Sequence, residues 1–284
     1  MELLEIKELS RNFGGINAVD SLSFEVKKGI VTGIIGPNGA GKTTVFNLIS
    51  GIYKPTSGVI LFDARNNEEP RHDETLKTGI VVSGILYNGK IVGLRSDEIV
   101  KKGISRTFQN IRLFKRCTCL ENVIIPILQR KNCNVFSALL RFGRAYRIER
   151  EATEEAMSLL SVMGLANEAK RQAGTLPYGL QRKLEIARAI AAKPKLLLLD
   201  EPAAGMNPEE TLLLVDLISE VRRKFDLTIL LIEHHMDLVM NICSHIVVME
   251  SGRLLFRGTP NEVRHNEKVI EAYLGKSKTN MLRK

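Results

Sequence analysis

The chain has 284 residues, and 44% of them are hydrophobic, which is enough for a domain with a sizeable buried core. Its net charge is +9, and part of the excess lies in the tail at Lys276, Lys278, Arg283 and Lys284. Nucleic acid, an anionic membrane surface or a polyanionic ligand could each match such a charge. We interpret the tail as a solvated basic end, with a membrane-facing tail as the alternative.

Cysteine spacing and hydropathy exclude several other classes of protein. No C-x-x-C pair occurs among Cys117, Cys119, Cys133 and Cys243, so no zinc site of that pattern is predicted. The N-terminus lacks the basic-then-apolar pattern of a signal sequence, and no apolar run approaches the roughly 20 residues of a membrane span. We therefore expect a reduced cytoplasmic setting with buried free thiols, and any membrane role to be peripheral.

The first 50 residues predict strands followed by a helix. Residues 4–7 and 22–27 alternate apolar and polar side chains, as half-buried strands do. The apolar run 30–35 then enters a glycine-rich loop and a helix over about 42–50. This order is a strand–loop–helix unit.

The middle of the chain changes character twice. Residues 57–63 recur loosely as 83–89, and the charged segment between them, 64–77, is interpreted as an insertion or local duplication forming a surface hairpin or loop. From about 110 to 181 the pattern turns helical, including a helix over 147–163. Helical patterning of this kind indicates a separate helical subdomain.

The α/β pattern resumes near residue 195. The apolar runs 195–199 and 227–232 predict short buried strands, and 208–224 between them predicts a helix. Strands that alternate with helices in this way are typical of parallel sheets with crossover helices.

A glycine-rich loop carries the first chemical signal. Residues 36–44 match G-x-x-x-x-G-K-T behind a buried strand and before a helix. Backbone N–H groups can approach phosphate oxygens closely there, and the helix N-terminus favours an anion. Lys42 is expected to reach the β- and γ-phosphates and Thr43 to bind Mg²⁺, which makes ATP the predicted ligand; a chance glycine turn is the alternative. The predicted phosphate-binding residues are Gly36, Pro37, Asn38, Gly39, Ala40, Gly41, Lys42, Thr43 and Thr44.

An acidic pair at the end of a leucine-rich strand carries the second signal. Asp200 emerges at the carboxyl edge of the strand, where ligands bind in parallel sheets, and is expected to hold Mg²⁺ through water. Glu201 follows it and could take a proton from the attacking water as general base. Two solvated acids that cap a strand are the alternative.

The order of these motifs resembles that of ATP-binding cassette (ABC) ATPases over nearly the whole chain. Gln109 lies in a segment that resembles the glutamine loop, and Gly179 in one that resembles the signature motif. Residues 203–208 resemble the loop that crosses the dimer interface, and His234 resembles the switch histidine that contacts the γ-phosphate. Phe13 falls where the family stacks an aromatic ring on adenine.

The resemblance implies a fold and a division of the chain. The fold is the α/β P-loop NTPase fold of ABC ATPases, with a mixed core sheet, an antiparallel β-subdomain and an α-helical subdomain. Residues 1–284 would form one ABC ATPase domain, with the core and β-subdomain at about 1–109 and 183–284. The helical subdomain would span about 110–182, and the insertion about 63–84.

The resemblance also implies roles for single residues. Glu201, His234 and Gln109 would be catalytic, and Thr43, Gln109 and Asp200 would bind Mg²⁺. Each has a simpler alternative: Gln109 as a polar loop residue, His234 as a surface histidine like its neighbour His235, and Phe13 as part of the core.

The signature departs from the usual family pattern. Pro177 replaces its serine, Tyr178 its first glycine and Leu180 its glutamine, while Gly179 remains. Pro177 has neither a hydroxyl group nor a backbone N–H, so two possible donors to a γ-phosphate are lost. In the family, the signature of one subunit completes the ATP site of the other. We therefore hypothesise an asymmetric pair, in which the weakened site is built on the phosphate loop of the partner.

Several segments are similar to the larger ATPase of bacterial branched-chain amino acid importers. They are residues 13–15, 106–114, 184–188, 201–205, 232–234 and 258–275. This resemblance implies a second ABC ATPase subunit in a homo- or heterodimer, transmembrane permease subunits, indirectly a solute-binding protein, and no nucleic acid. It places the chain at the cytoplasmic face of the inner membrane, as a peripheral subunit.

Other ABC classes remain as alternatives. The ATPase of a lipopolysaccharide-type export system differs only in what is moved. Non-transport ABC ATPases of DNA repair carry long coiled coils, whereas no sustained heptads occur here, and those of translation carry two cassettes in one chain. A purely ATP-sensing module would not need Glu201 and His234.

Overall fold

The structure is a computed structural model, and it describes residues 1–63, 71–72, 85–86, 89–131 and 144–274. In chain order the strands are β1 (Glu2–Phe13), β2 (Ile16–Lys27), β3 (Val31–Ile35), β4 (Ser57–Phe62), β5 (Arg71–His72), β6 (Ile85–Leu86), β7 (Ile104–Arg106), β8 (Leu196–Asp200), β9 (Thr228–Ile232), β10 (His245–Glu250) and β11 (Arg253–Gly258). The α-helices are α1 (Lys42–Ile49), α2 (Ser96–Lys102), α3 (Cys119–Arg130), α4 (Arg144–Val162), α5 (Tyr178–Ala191), α6 (Pro208–Lys224), α7 (Met236–Ile242), α8 (Pro260–His265) and α9 (Glu267–Leu274).

The chain forms two compact units. The first contains Met1–Ile99 and Leu227–Lys284, and the second contains Val100–Asp226. The predicted subdomain limits at residues 109 and 182 stay predictions.

An antiparallel sheet in the first unit has the order β2-β1-β4. Leu4 and Ile6 of β1 are buried, and Ile6 pairs with Phe24 of β2 and Ile60 of β4. One face of the sheet is buried, which explains why apolar and polar residues alternate in β1 and β2, as expected for half-buried strands.

Parallel strands in the same unit form the base for the glycine-rich loop. Strands β10, β3 and β9 pair in parallel in that order, and β11 joins the outer side of β10 in antiparallel fashion. All five residues of β3 and all five of β9 are buried. Burial on both faces explains why these strands are continuous apolar runs rather than alternating ones.

In the second unit β7 and β8 pair in parallel, and α3, α4 and α5 pack together. Helix α3 begins with a capping box, in which Thr118 accepts from the backbone N–H of Glu121 and Glu121 accepts in return. Arg130 on α3 and Glu155 on α4 form an ion pair at 2.7 Å. These contacts fix the helical segment that the sequence predicts.

The predicted elements and the observed ones agree closely. The helix expected over 147–163 is α4, which begins three residues earlier, and Gly164 follows it with a φ of +68°. The insertion is only partly described: residues 71–72 and 85–86 pair antiparallel, while most of 64–77, most of the repeat at 83–89, Cys133 and the basic tail lie outside the described residues. None of the described helices combines the length and apolar character that crossing a bilayer requires.

Candidate nucleotide-binding site

The phosphate loop in the first unit has a backbone that only glycine allows at two positions. Gly36 has a φ of +152°, and a Cβ there would overlap the carbonyl oxygen of Met249. Gly41 has a φ of +94°, and a Cβ there would overlap the carbonyl oxygen of Ala18. The two glycines therefore let the loop pass close to β10 and β2, as the motif predicts.

Lys42 lies inside this loop. It is only 5% exposed, and its Nζ donates to the carbonyl oxygens of Gly36 at 2.7 Å and Pro37 at 2.9 Å. These bonds hold the ammonium group within the loop, where it can attract phosphate oxygens as a point charge. Thr43 is exposed in the first turn of α1, and that helix starts from Gly41 without a side-chain cap, so the helix N-terminus can serve as an anion site.

Phe13 ends β1 as part of a small aromatic cluster. The guanidinium carbon of Arg11 lies 4.4 Å from the centre of the Phe13 ring, and the Tyr53 ring meets Phe13 edge-on with 5.2 Å between centroids. Arg11 is held by a 2.9 Å bond from its Nη1 to the carbonyl oxygen of Lys54. Phe13 is 37% exposed, so its ring is a surface feature rather than part of the core.

His234 follows β9 in an exposed position. Glu233 before it is 1% exposed, and its Oε2 accepts from the backbone N–H groups of His234 at 2.9 Å and His235 at 3.2 Å. One buried carboxylate thus fixes the turn that presents both histidines.

Asp200 ends β8 in the second unit and pairs with Arg106 at the end of β7. Arg106 Nη2 donates to Asp200 Oδ2 at 2.7 Å, and the two side chains are only 6% and 3% exposed. Burial raises the pKa of the Asp200 carboxyl, and the hydrogen bond and charge of Arg106 partly oppose that rise. Among the described residues Asp200 Oδ1 is buried without a hydrogen-bond partner, which fits an oxygen ligand for Mg²⁺ or for its bound water.

Glu201 stands next to Asp200 in a strained conformation. Its φ is +46°, in the left-handed region that non-glycine residues rarely adopt. Gln109 Nε2 donates to Glu201 Oε2 at 2.8 Å. The structure therefore joins Gln109 and Glu201, two of the three residues expected to be catalytic, although they are 92 positions apart.

The signature-like segment, residues 176–182, forms the start of α5. Pro177 is its N-cap and makes no side-chain capping bond, and a Cβ on Gly179 would lie 3.4 Å from a carboxylate oxygen of Glu210. Pro177, Gly179 and Leu180 line a cleft together with Met206 and other residues of α6 and the loop before it. Gly179 lies in the first turn of that helix, and its expected contact with phosphate stays a prediction.

Two charged pairs in the structure were not predicted from the sequence. Arg106 begins the segment that resembles the glutamine loop, and nothing local in the sequence indicates that it pairs with Asp200. Arg182 and Glu185 form a fully buried pair at 2.8 Å on α5. Their spacing of three residues on an otherwise apolar helix face is a signal that could have identified that pair.

Known protein families and relatives match almost the whole chain. The ABC transporter family matches residues 19–204, and the branched-chain amino acid ATP-binding cassette transporter family matches residues 253–279. The chain is 44% identical to the high-affinity branched-chain amino acid transport ATP-binding protein BraF of Pseudomonas aeruginosa over 97% of this chain and 98% of that one. It is 42% identical to LivG of Escherichia coli K12, which has the same description, with the same coverage.

Solved structures agree with the sequence comparisons. The ADP conformation of MJ1267, an ATP-binding cassette of an ABC transporter, has a TM-score of 0.76 and 31% identity, covering 97% of this chain and all of that one. The predicted fold class is thereby confirmed. Family match, relatives and fold all show that the chain belongs to the ATP-binding proteins of ABC transporters, in the group whose members serve branched-chain amino acid transport.

Proposed function

We propose that this chain is the ATP-binding and ATP-hydrolysing subunit of an importer for branched-chain amino acids. The phosphate loop is the observation that carries the ATPase part, since two glycines that tolerate no Cβ hold the loop around the buried ammonium group of Lys42. The sequence relatives favour import over the lipopolysaccharide-export alternative, because BraF and LivG are both branched-chain amino acid transport proteins.

Each site residue has a role in this proposal. Residues 36–44 bind the phosphates through backbone N–H groups and Lys42, Phe13 stacks on adenine, and His234 contacts the γ-phosphate. Gly179 serves the nucleotide site of a partner subunit. The phosphate-binding roles among these use hydrogen-bond donors and one ammonium group, which is what a triphosphate requires.

Thr43, Gln109 and Asp200 are the residues that would hold Mg²⁺, which would neutralise charge on the phosphates during transfer. The buried Oδ1 of Asp200 supports this assignment. Glu201 accepts a proton from the attacking water, and Gln109 orients Glu201 through the 2.8 Å bond.

The proposed assembly follows from the family. A second ABC ATPase, as a second copy or a different chain, and two permease subunits would be the direct partners, and a solute-binding protein would act through the permeases. The chain would lie on the cytoplasmic face of the inner membrane. Nucleotide-dependent closure and reopening of the ATPase pair would drive alternating access in the permeases.

The altered signature makes a heterodimer the favoured form of that pair. Removal of one transition-state donor can cost roughly 3 kcal/mol in activation free energy, and Pro177 removes a hydroxyl group and an N–H together. A partner with a normal signature would complete the site on this chain's own phosphate loop. The chain alone should then hydrolyse ATP slowly and faster with that partner, whereas full activity as a homodimer would argue against asymmetry.

Replacement of the proposed base tests the catalytic part. Glu201→Gln should lower kcat by roughly 100-fold or more, because general base catalysis typically contributes that much, while ATP binding is retained. Glu209→Gln is the matched control, since Glu209 is an exposed acid eight positions further on. Steady-state hydrolysis that survives in Glu201→Gln would show that the base is wrongly assigned.

Uptake assays test the solute. A strain that lacks this chain should lose high-affinity uptake of labelled leucine, isoleucine and valine, and the wild-type chain should restore it. Restoration by wild type but not by Glu201→Gln ties uptake to hydrolysis. Unchanged uptake in the deletion strain would remove the import proposal and leave the ATPase part intact.

A further inference from the structure

A buried ion pair between the last residue of the signature-like segment, Arg182, and Glu185 has no role in the function proposed so far. Arg182 lies one turn into α5 with no exposed surface, and Glu185 is 1% exposed. Arg182 Nη1 donates to Glu185 Oε2 at 2.8 Å. Two charges removed from water carry a desolvation cost that only good geometry and additional hydrogen bonds offset. The groups that supply those bonds therefore indicate the use of the pair.

Both side chains bond the backbone of the loop that follows β7. Arg182 donates from Nη1 to the carbonyl oxygen of Phe108 at 2.7 Å and from Nη2 to that of Gln109 at 2.8 Å. Glu185 Oε1 accepts from the backbone N–H of Arg112 at 3.1 Å and, more weakly, from that of Phe108 at 3.4 Å. Residues 108–112 form no helix or strand, so these bonds determine the path of the loop.

The same guanidinium group also reaches the start of its own helix. Arg182 Nη2 donates to the Tyr178 hydroxyl at 3.2 Å. The Tyr178 ring lies against Gly205, where a Cβ would be 3.5 Å from the nearest ring carbon. Arg182 thereby connects the signature-like segment with the glutamine loop inside one unit.

The side chain at the end of this connection is Gln109, which bonds Glu201 at 2.8 Å. Gln109 is exposed rather than packed in the core, so the position of its backbone decides whether the amide group reaches the carboxylate. We propose that Arg182 is a positioning residue that holds the backbone of Gln109 in place for its contact with Glu201. The inference rests on the catalytic roles proposed for Gln109 and Glu201.

The double variant Arg182→Met with Glu185→Gln, in the full-length chain, is the main test. It removes both charges together, so neither is left buried alone, and the new amide oxygen still accepts from the loop N–H groups. We expect kcat for ATP to fall roughly 10- to 100-fold, as misplacement of a reacting group by about 1 Å can do. KM should stay within about twofold, because Arg182 has no exposed surface with which to contact ATP.

A double-mutant cycle separates positioning from general loss of structure. Once Gln109→Ala has removed the amide group, the Arg182/Glu185 change should lower kcat little further, since its effect passes through Gln109. Arg130→Met is the control, because it breaks a 2.7 Å ion pair in the same unit that does not touch the glutamine loop. Its kcat should match wild type even though its thermal stability falls.

The outcomes separate the positioning role of Arg182 from the catalytic roles proposed for Gln109 and Glu201. Full turnover in Gln109→Ala would refute the role proposed for Gln109. A lower kcat in Gln109→Ala with an unchanged kcat in the double variant, or fully additive losses, would overturn the role of Arg182 alone. If the double variant does not fold, Arg182→Lys takes its place. It keeps the charge beside Glu185 but has one nitrogen instead of the planar fork whose Nη1 and Nη2 bond the two carbonyl groups separately, so kcat should again fall with KM unchanged.

Discussion

Replacement of Phe13 by alanine tests whether its ring is the adenine platform. A stacked base on an aromatic ring contributes roughly 1–3 kcal/mol. Arg11 covers one face of Phe13 at 4.4 Å, and Tyr53 makes a T-shaped contact with Phe13, so a base can stack on at most one face of the ring. We therefore expect the lower part of the range, about 1–2 kcal/mol. At about 1.4 kcal/mol per factor of ten, this is a roughly 5- to 30-fold loss of ATP affinity.

Calorimetric titration of ATP and of inorganic tripolyphosphate measures that loss and its origin. The titrations use the Glu201→Gln background so that ATP is not consumed. Phe13→Ala should weaken ATP and leave tripolyphosphate unchanged, because tripolyphosphate has no base to stack. Ile52→Ala, which removes another exposed apolar side chain that is 45% exposed, is the control. Equal losses for both ligands, or no loss for ATP, would refute the stacking role.

Two further substitutions examine the phosphate loop and the acidic pair. Arg106→Gln removes the cation that opposes the raised pKa of Asp200, so that pKa should rise further. More of the carboxyl group is then protonated at a given pH, and the acid limb of the kcat–pH profile should move to higher pH. An unchanged profile would contradict the pairing of Arg106 with Asp200. Gly36→Ala should abolish ATP binding in a titration, because its Cβ would overlap the Met249 carbonyl oxygen. Gly29→Ala, with a φ of +77° and nothing within 4 Å of the added methyl group, should cost only backbone strain of roughly 1–2 kcal/mol and keep ATP binding.

Elements with strong local signals could be predicted from the sequence. The helix expected over 208–224 is α6 with the same limits, since Pro208 occupies the first turn and the Asn207 side chain accepts from the backbone N–H of Glu210. The strand expected over 195–199 is β8, shifted by one residue. Caps and continuous apolar runs are short-range features, so one sequence suffices to locate them.

Elements and contacts that depend on distant residues could not be predicted. Strand β7 has only three residues and is defined by its pairing with β8, so its own sequence is too short to show a strand pattern. Arg106 bonds Asp200 across 94 positions, and Arg182 bonds the Phe108 carbonyl across 74. Tertiary packing alone decides which arginine meets which acceptor. Residue types and spacing therefore identify the chemistry of the site but not which side chains pair with each other.

Glu201 shows the same division at a single residue. Its type and its place after β8 indicate a general base, yet only the structure shows the φ of +46°. Such strain costs of order 1–3 kcal/mol and persists where surrounding contacts over-determine it, which is common at functional sites. The 2.8 Å bond from Gln109 is one such contact. The strained backbone of Glu201 and the buried hydrogen bonds to the backbone of Gln109 would therefore together set the position of the proposed base.

The signature-like segment keeps its helix although Pro177 and Leu180 depart from the family pattern. Pro177 takes the N-cap position of α5 with extended backbone, so the helix begins normally although the usual hydroxyl cap is absent. Leu180 lines an apolar cleft with Met206 and Leu213, where the family pattern has a polar side chain. Both changes remove hydrogen-bond donors while the helix and Gly179 are kept. A surface of this kind can still meet a partner subunit but offers less to a developing phosphate charge, which supports an ATPase pair whose two sites hydrolyse at different rates.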